Sequence, residues 1–198
     1  MLRHRLVFLR HGETDWNAEG RLQGRQDIPL NDKGRHQAEK AGRTVARILG
    51  PAGLRAPHLQ FLCSPMIRAR QTMEIARAAM KLPIADYALD ERIVELTFGE
   101  WEGLTWPEVK ARAPDAASWR EGDKWRFTPP KGESYAMLAD RLRPWIESLT
   151  SEAVVVSHGG VARALMAILA GMPEQQAALA DIWQGRVLVF LNGKMSWI

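Results

Sequence analysis

The chain has 198 residues, 46% of them hydrophobic, enough to bury one substantial core and too few for two full domains. Its 27 basic and 23 acidic residues are interspersed and leave a net charge of +4, a pattern that argues against a nucleic-acid stripe but suits a small anionic partner. Cys63 is the only cysteine, which excludes an intramolecular disulfide or a cysteine metal cluster and points to a reducing, cytoplasmic setting. Behind the basic opening Met1-Leu2-Arg3-His4-Arg5, the apolar run Leu6–Leu9 stops at Arg10, too short for a signal peptide or a membrane span, so no membrane partner is expected.

Arg5 to Leu9 reads as a short buried strand that runs straight into the turn Arg10-His11-Gly12-Glu13. Asn31-Asp32 starts a helix that Gly50-Pro51 stops. His58 to Cys63 reads as a second strand, with Ser64 as N-cap, Pro65 as first helical residue and a helix to Met80 behind them. Between Glu100 and Gly132 tryptophans mix with prolines and charges, the composition of a lid or cap inserted at about 100–132 in a single domain spanning 1–198. A helix is expected over Glu133 to Leu149, kinked or bounded at Pro144. Ala153 to Ser157 is a third strand, followed by His158-Gly159-Gly160 and a helix from Val161 to about Ala170. Asn192-Gly193, between Arg186–Leu191 and Lys194–Trp197, is a two-residue hairpin signal. Three strand-to-helix units in one chain predict an α/β fold, a three-layer sandwich with a mostly parallel central sheet and helices on both faces.

Open parallel sheets bind ligands outside the carboxyl ends of their strands. Arg10 and His11 follow the first strand, Arg68 lies one turn into the helix after the second, and His158 ends the third. If those strands are neighbours, two guanidinium groups and two imidazoles meet on one rim without a carboxylate, a set suited to an anion and not to a metal. Phosphoryl transfer spreads negative charge over three oxygens and is stabilised by such prearranged donors. Arg10, Arg68 and a protonated His158 would supply them, while one histidine stays neutral to attack phosphorus, so the two imidazoles are expected to differ in proton affinity. A leaving oxygen also needs a proton. Glu95, in the strand-to-loop segment Glu91–Gly99 with apolar neighbours, is the best general-acid candidate, and Glu91, Glu100 and Glu102 lie close enough in sequence to compete with it.

Leu9-Arg10-His11-Gly12-Glu13-Thr14 with Trp16-Asn17 resembles the signature of the histidine phosphatase superfamily, which includes the cofactor-dependent phosphoglycerate mutases. Gly20-Arg21-Leu22-Gln23-Gly24 with Pro29-Leu30-Asn31 and Gly34 is similar to that family's substrate-facing loop and first helix, and Cys63-Ser64-Pro65-Met66-Ile67-Arg68-Ala69 with Gln71-Thr72 to its second arginine motif. Glu95 with Phe98-Gly99 and Trp101-Glu102-Gly103 resembles the acid segment, Gly132-Glu133-Ser134 the pre-helix turn, and Val156-Ser157-His158-Gly159-Gly160 the second-histidine motif. The resemblance implies a phosphoglycerate mutase-like fold, His11 as phosphorylated nucleophile, Glu95 as proton donor, and Arg10, Arg68 and His158 as the phosphate pocket. It further implies that Asn17, Gln23 and Gly24 help position a small-molecule phosphate ester.

Rival chemistries fail on spacing. A cysteine phosphatase separates its thiolate and arginine by five residues, whereas four lie between Cys63 and Arg68. No Gly-x-Ser-x-Gly elbow accompanies His158-Gly159-Gly160, and no nucleotide-binding Gly-x-x-x-x-Gly-Lys-Ser/Thr loop is present. The histidines lack His-x-x-x-His spacing, so neither metal nor other cofactor is expected. A phospholigand-binding protein without turnover would be expected to lose His11 or Glu95, and both are here. The expectation is therefore a phosphomonoesterase, monomeric or homodimeric. Phosphoglycerate mutase-type transfer is the alternative, disfavoured by the short chain and by Phe98–Trp106, which resembles the broad-specificity and α-ribazole phosphatase branch. Lys110, Arg112, Arg120, Lys124 and Arg126 suit a second anionic group or a solvated face equally well.

Overall fold

A computed structural model describes residues 4–198, so the basic opening Met1–Arg3 lies outside the described residues. The first strand, β1 (Leu6–Arg10), leads through the short helix α1 (Asp15–Ala18) to α2 (Asp32–Leu54). β2 (Gln60–Cys63) feeds α3 (Ile67–Ala79) and is followed by the two-residue strand β3 (Ala88–Leu89). The Trp-rich segment holds α4 (Trp106–Arg112) and α5 (Pro114–Gly122). Then come α6 (Tyr135–Glu147), β4 (Ala153–Ser157), α7 (Gly159–Ala170), α8 (Glu174–Leu179) and the pair β5 (Val187–Leu191) and β6 (Lys194–Trp197). The strands form one sheet in the order β3-β2-β4-β1-β5-β6. β3, β2, β4 and β1 run parallel, while β5 and β6 are antiparallel additions.

Strand periodicity sorts the core into two layers. Leu6 and Phe8 of β1 face one side with Val155, Leu188 and Phe190, against Leu138, Leu142 and Trp145 of α6 and Leu165 of α7. Val7 and Leu9 face the other with Val154, Val156 and Val187, against Ala41 and Val45 of α2 and Met73 and Ala76 of α3. The expected mostly parallel three-layer sandwich is thus the observed one. A third, smaller cluster of Trp101, Val109, Ala117 and Phe127 holds α4 and α5 together. No helix among the described residues is long and apolar enough to cross a membrane.

Local signals held where sequence neighbours decide the geometry. Asn31 caps α2 by accepting from the Gly34 amide at 2.9 Å. Asn192 and Gly193 take φ of 50° and 72°, closing the β5–β6 hairpin in the left-handed region that such a turn requires. Three readings need correction. Gly50 does break the helix, with φ 66° and ψ 172°, but Pro51 then starts another helical turn that ends at Leu54. Pro144 neither bounds nor breaks α6, which runs on to Glu147 although the proline offers no amide to the Asp140 carbonyl. Glu91–Gly99 is not a strand: it is a 3-10 turn over Glu91–Ile93 and an extended loop.

α2 and α3 can lie on the same face of the sheet only because Gly42 admits the α3 backbone. A Cβ there would stand 2.5 Å from the Ala76 carbonyl oxygen. Gly42→Ala is therefore expected to lower unfolding free energy by about 1–3 kcal/mol despite its gain in helix propensity, as measured by urea unfolding. An unchanged midpoint would mean that the two helices are free to separate.

Candidate active site

The backbone ladder runs one residue beyond the strands on the rim where β1, β2 and β4 end. The His11 amide donates to the Ser157 carbonyl at 2.9 Å and the Ser64 amide to the Val156 carbonyl at 3.0 Å. These bonds fix His11 and Ser64 before any side-chain interaction is counted. Gly12 follows His11 because α2 passes against it: a Cβ there would meet the Gly34 carbonyl oxygen at 2.2 Å. The Gly12 amide donates to Thr72 Oγ1 at 3.0 Å, and Thr72 in turn donates to the Arg68 carbonyl at 2.7 Å, so the loop is pinned to α3.

Arg10, His11, Arg68 and His158 do converge. The two imidazole centroids are 5.2 Å apart. His11 Nδ1 is 2.7 Å from its neighbour's carbonyl, Gly12 O, which makes Nδ1 the protonated nitrogen and leaves Nε2 with its lone pair as an acceptor. Arg68 Nε donates toward that lone pair at 3.3 Å. Its remaining nitrogens are spoken for by backbone: Nη1 donates to the Gln26 carbonyl at 2.7 Å and Nη2 to the Gly24 carbonyl at 2.8 Å. Arg10 is held by one bond, from Nη1 to the Ile182 carbonyl at 2.7 Å. Its Nε, together with His158 Nδ1 and Gln23 Oε1, is buried without a protein partner among the described residues.

Burial and mutual repulsion set the electrostatics. Burial, then the charge of Arg163, brings Arg10 down to about 10, still protonated at neutral pH. Burial likewise lowers Arg68. Both imidazoles fall well below the ordinary histidine range, first through burial and next through the charge of Arg68. The expected division into one protonated and one neutral histidine does not describe the free protein: Arg10 and Arg68 disfavour a further cation on either ring.

Glu95 joins this group from the loop after the 3-10 turn. Its Oε2 accepts from the Gly160 amide at 3.0 Å and its Oε1 from the Leu96 amide at 3.0 Å. The carboxyl is thus held at the N-terminal end of α7 by two backbone amides. A side chain at Gly160 would displace it, since a Cβ would stand 2.2 Å from Glu95 Oε1. Glu102 does different work. It accepts from the Arg25 amide at 2.9 Å and the Thr97 hydroxyl at 2.7 Å, tying the Gln23–Gln26 loop to the acid segment.

The remaining expected site residues lie in and after α1. Gln23 Nε2 donates to Thr14 Oγ1 at 2.6 Å. Asn17 Oδ1 accepts from Gln184 Nε2 at 3.0 Å, and Gly24, at φ 51°, turns its carbonyl onto Arg68. Ser64 corrects the sequence reading. It is not an N-cap, since α3 starts at Ile67 after Met66; its hydroxyl lies 2.7 Å from His158 Nε2 and holds that ring. The signal was available only as a serine beside a strand end, which a cap explains equally well.

The imidazole state is directly checkable. The ring resonances of His11 and His158 are expected to keep their neutral-form shifts as pH falls from neutrality through 6.5, the ordinary histidine value. An NMR titration with a midpoint at or above that value for either ring would refute the electrostatic account.

The site so described has counterparts in known proteins. The family model of the histidine phosphatase superfamily (branch 1) matches residues 6–191. A glucosyl-3-phosphoglycerate phosphatase of Mycolicibacterium vanbaalenii is 36% identical over 182 residues, covering 85% of this chain and 75% of that protein. A 2,3-bisphosphoglycerate-dependent phosphoglycerate mutase of Methylobacterium radiotolerans is 30% identical over 197 residues, covering 93% and 88%. Among solved structures, a candidate alpha-ribazole-5'-P phosphatase from Escherichia coli superposes with a TM-score of 0.79 at 25% identity, covering 99% of this chain and 95% of that one. The mycobacterial glucosyl-3-phosphoglycerate phosphatase superposes at 0.75 with 31% identity, covering 94% and 89%. With its converging arginines and histidines on the rim of a mostly parallel sheet and a family match that runs nearly end to end, this chain belongs to the histidine phosphatase superfamily.

Proposed function

We propose that the protein hydrolyses small-molecule phosphomonoesters through a phosphohistidine on His11. The observation that carries the reading is the commitment of His11 Nδ1 to the Gly12 carbonyl, which leaves Nε2 unprotonated and facing Arg68 in a buried, cationic pocket. Arg10, Arg68 and His158 surround the phosphoryl oxygens: the unpartnered Arg10 Nε and His158 Nδ1 are the natural places for them. Asn17, Gln23 and the loop carrying Gly24 position the rest of the substrate, and the segment 100–132 covers the site as a cap of the single domain.

In the first step Nε2 attacks phosphorus, forming the N–P bond as the ester P–O bond breaks. The departing oxygen takes its electron pair and a proton from the Glu95 carboxyl. In the second step water attacks phosphorus and gives its proton to the Glu95 carboxylate. The N–P bond breaks, its electrons return to Nε2, and inorganic phosphate leaves. Neither step calls for a metal or other cofactor. The guanidinium groups are strongest where the leaving charge develops, because the pocket is shielded from water. A lone, fully buried Cys63 whose thiol is raised by burial stays inert in a reducing compartment, and we place the enzyme in the cytoplasm. All these residues come from one chain, so the reading serves a monomer or a homodimer.

Two variants test it. His11→Ala is expected to abolish both phosphate release and acid-labile labelling of the protein by substrate phosphate; labelling that survives would assign the nucleophile elsewhere. Gly160→Ala, which pushes Glu95 out of place, is expected to cost about 100-fold in kcat while leaving the melting temperature within a few degrees. Full activity in that variant would remove Glu95 from the proton transfers. In the same assays, isomerisation of 3-phosphoglycerate without phosphate release would replace hydrolysis by mutase chemistry.

A further inference from the structure

His158 is fully buried behind β4, and its backbone occupies the N-cap position of α7 without using the ring as a cap. The ring makes one hydrogen bond among the described residues: Nε2 lies 2.7 Å from Ser64 Oγ. Nδ1 is buried with no partner. Ser64 is equally shut away just past β2, where the neighbouring strands pair Cys63 with Val156. Its amide is spent on the Val156 carbonyl at 3.0 Å, and its carbonyl accepts from the Cys63 thiol at 3.2 Å. That leaves the hydroxyl, whose only partner among the described residues is His158.

Counting protons decides which way this bond runs. A neutral imidazole carries one N–H and one lone pair, and a hydroxyl can donate or accept. If the ring proton sat on Nε2, it would go to Ser64, whose own hydroxyl proton would then have no acceptor among the described residues. Nδ1 would be left as a bare lone pair, which repels a phosphoryl oxygen. If Ser64 donates instead, its proton and the Nε2 lone pair satisfy each other, and the ring proton resides on Nδ1. Only this second arrangement wastes no buried polar group at Ser64 and also offers an anion an N–H. The remaining state, an imidazolium, is opposed by burial and by the charge of Arg68.

We propose that Ser64 is a positioning residue: its hydroxyl donates to His158 Nε2 and holds the ring as the neutral Nδ1–H tautomer, which then donates to a phosphoryl oxygen. The donation to phosphate rests on the hydrolytic reading above, whereas the tautomer stands without it. His11 is kept in the same tautomer by the Gly12 carbonyl. Two rings with centroids 5.2 Å apart therefore present opposite atoms, His11 a lone pair at Nε2 and His158 a proton at Nδ1. The anion is gripped without a third cation beside Arg10 and Arg68.

Long-range proton–nitrogen NMR correlations of the full chain at neutral pH read the tautomer directly. His158 is expected to show a protonated, pyrrole-type Nδ1 and a pyridine-type Nε2. Saturating inorganic phosphate, the probe for the anion, should move the Nδ1 proton downfield while Nε2 stays pyridine-type. Ser64→Ala is expected to shift Nε2 toward the pyrrole type. The same variant should raise KM for p-nitrophenyl phosphate and the inhibition constant of inorganic phosphate about tenfold, as the loss of one buried hydrogen bond does. Should Ser64→Ala fail to fold, the spectra of the unmodified protein still decide. A pyrrole-type Nε2 in the unmodified protein, or a tautomer unchanged in a folded Ser64→Ala, overturns the role of Ser64. An imidazolium in the phosphate complex, or an Nδ1 proton that phosphate leaves in place, overturns the neutral donor. If the Nδ1–H tautomer is found but p-nitrophenyl phosphate is not hydrolysed, the hydrolytic reading fails and the hold of Ser64 on the ring stands.

Discussion

A guanidinium group shut away from water must find acceptors inside the protein, and the acceptors found by Arg68 organise the whole rim. Two are backbone carbonyls, Gln26 at 2.7 Å and Gly24 at 2.8 Å, and the third is His11 Nε2 at 3.3 Å. Hydrogen bonds to a charged group contribute about 1.5–3 kcal/mol each, enough to draw the Gln23–Gln26 loop down onto α3. Gly24 permits that path with a left-handed turn, and Glu102 fastens the same loop to the acid segment. One buried side chain therefore sets the position of His11, of the loop in front of it and, through Glu102, of the segment that carries Glu95.

The sheet makes this burial possible. Parallel strands deliver their carboxyl ends to one edge, and the central position of β4 between β2 and β1 brings Ser64, His158 and His11 side by side. Glycines then remove the side chains that would block close approach: Gly12 against α2, and Gly160 against the Glu95 carboxyl. The fold is held elsewhere, by two apolar layers on the sheet faces. The rim is thus free to carry polar groups whose mutual repulsion the core outweighs.

That repulsion has a direction. Arg10 and Arg68 remain charged because a guanidinium resists deprotonation, and their charge pushes both imidazoles toward neutrality. In the proposed reaction a neutral His11 is the nucleophile, so the groups proposed to bind the anion also prepare the atom that attacks it. Glu95 is bound to the amide end of α7 within the same field. Farther out, the charge of Arg163 acts on both Arg10 and Lys124, lowering each.

By itself the sequence determined whatever depends on near neighbours: the buried strand that ends at Arg10-His11, the Asn31 cap and the Asn192-Gly193 hairpin. It also placed Arg10, His11, Arg68 and His158 after three strands, and parallel pairing was sufficient to unite them. Tertiary structure alone decided the rest. Ser64 reads locally as a cap, yet its partner is His158, 94 residues away. Gly24 reads as a substrate-loop glycine, yet its carbonyl is an anchor for Arg68. Five cations of the Trp-rich segment are equivalent in sequence; only tertiary packing sets Lys110 of α4 against Glu121 of α5, brings Arg126 to Glu174 of α8 and leaves Arg120 and Lys124 beside Arg163. Propensity and periodicity act over a few residues, whereas burial and charge pairing depend on which distant surfaces meet.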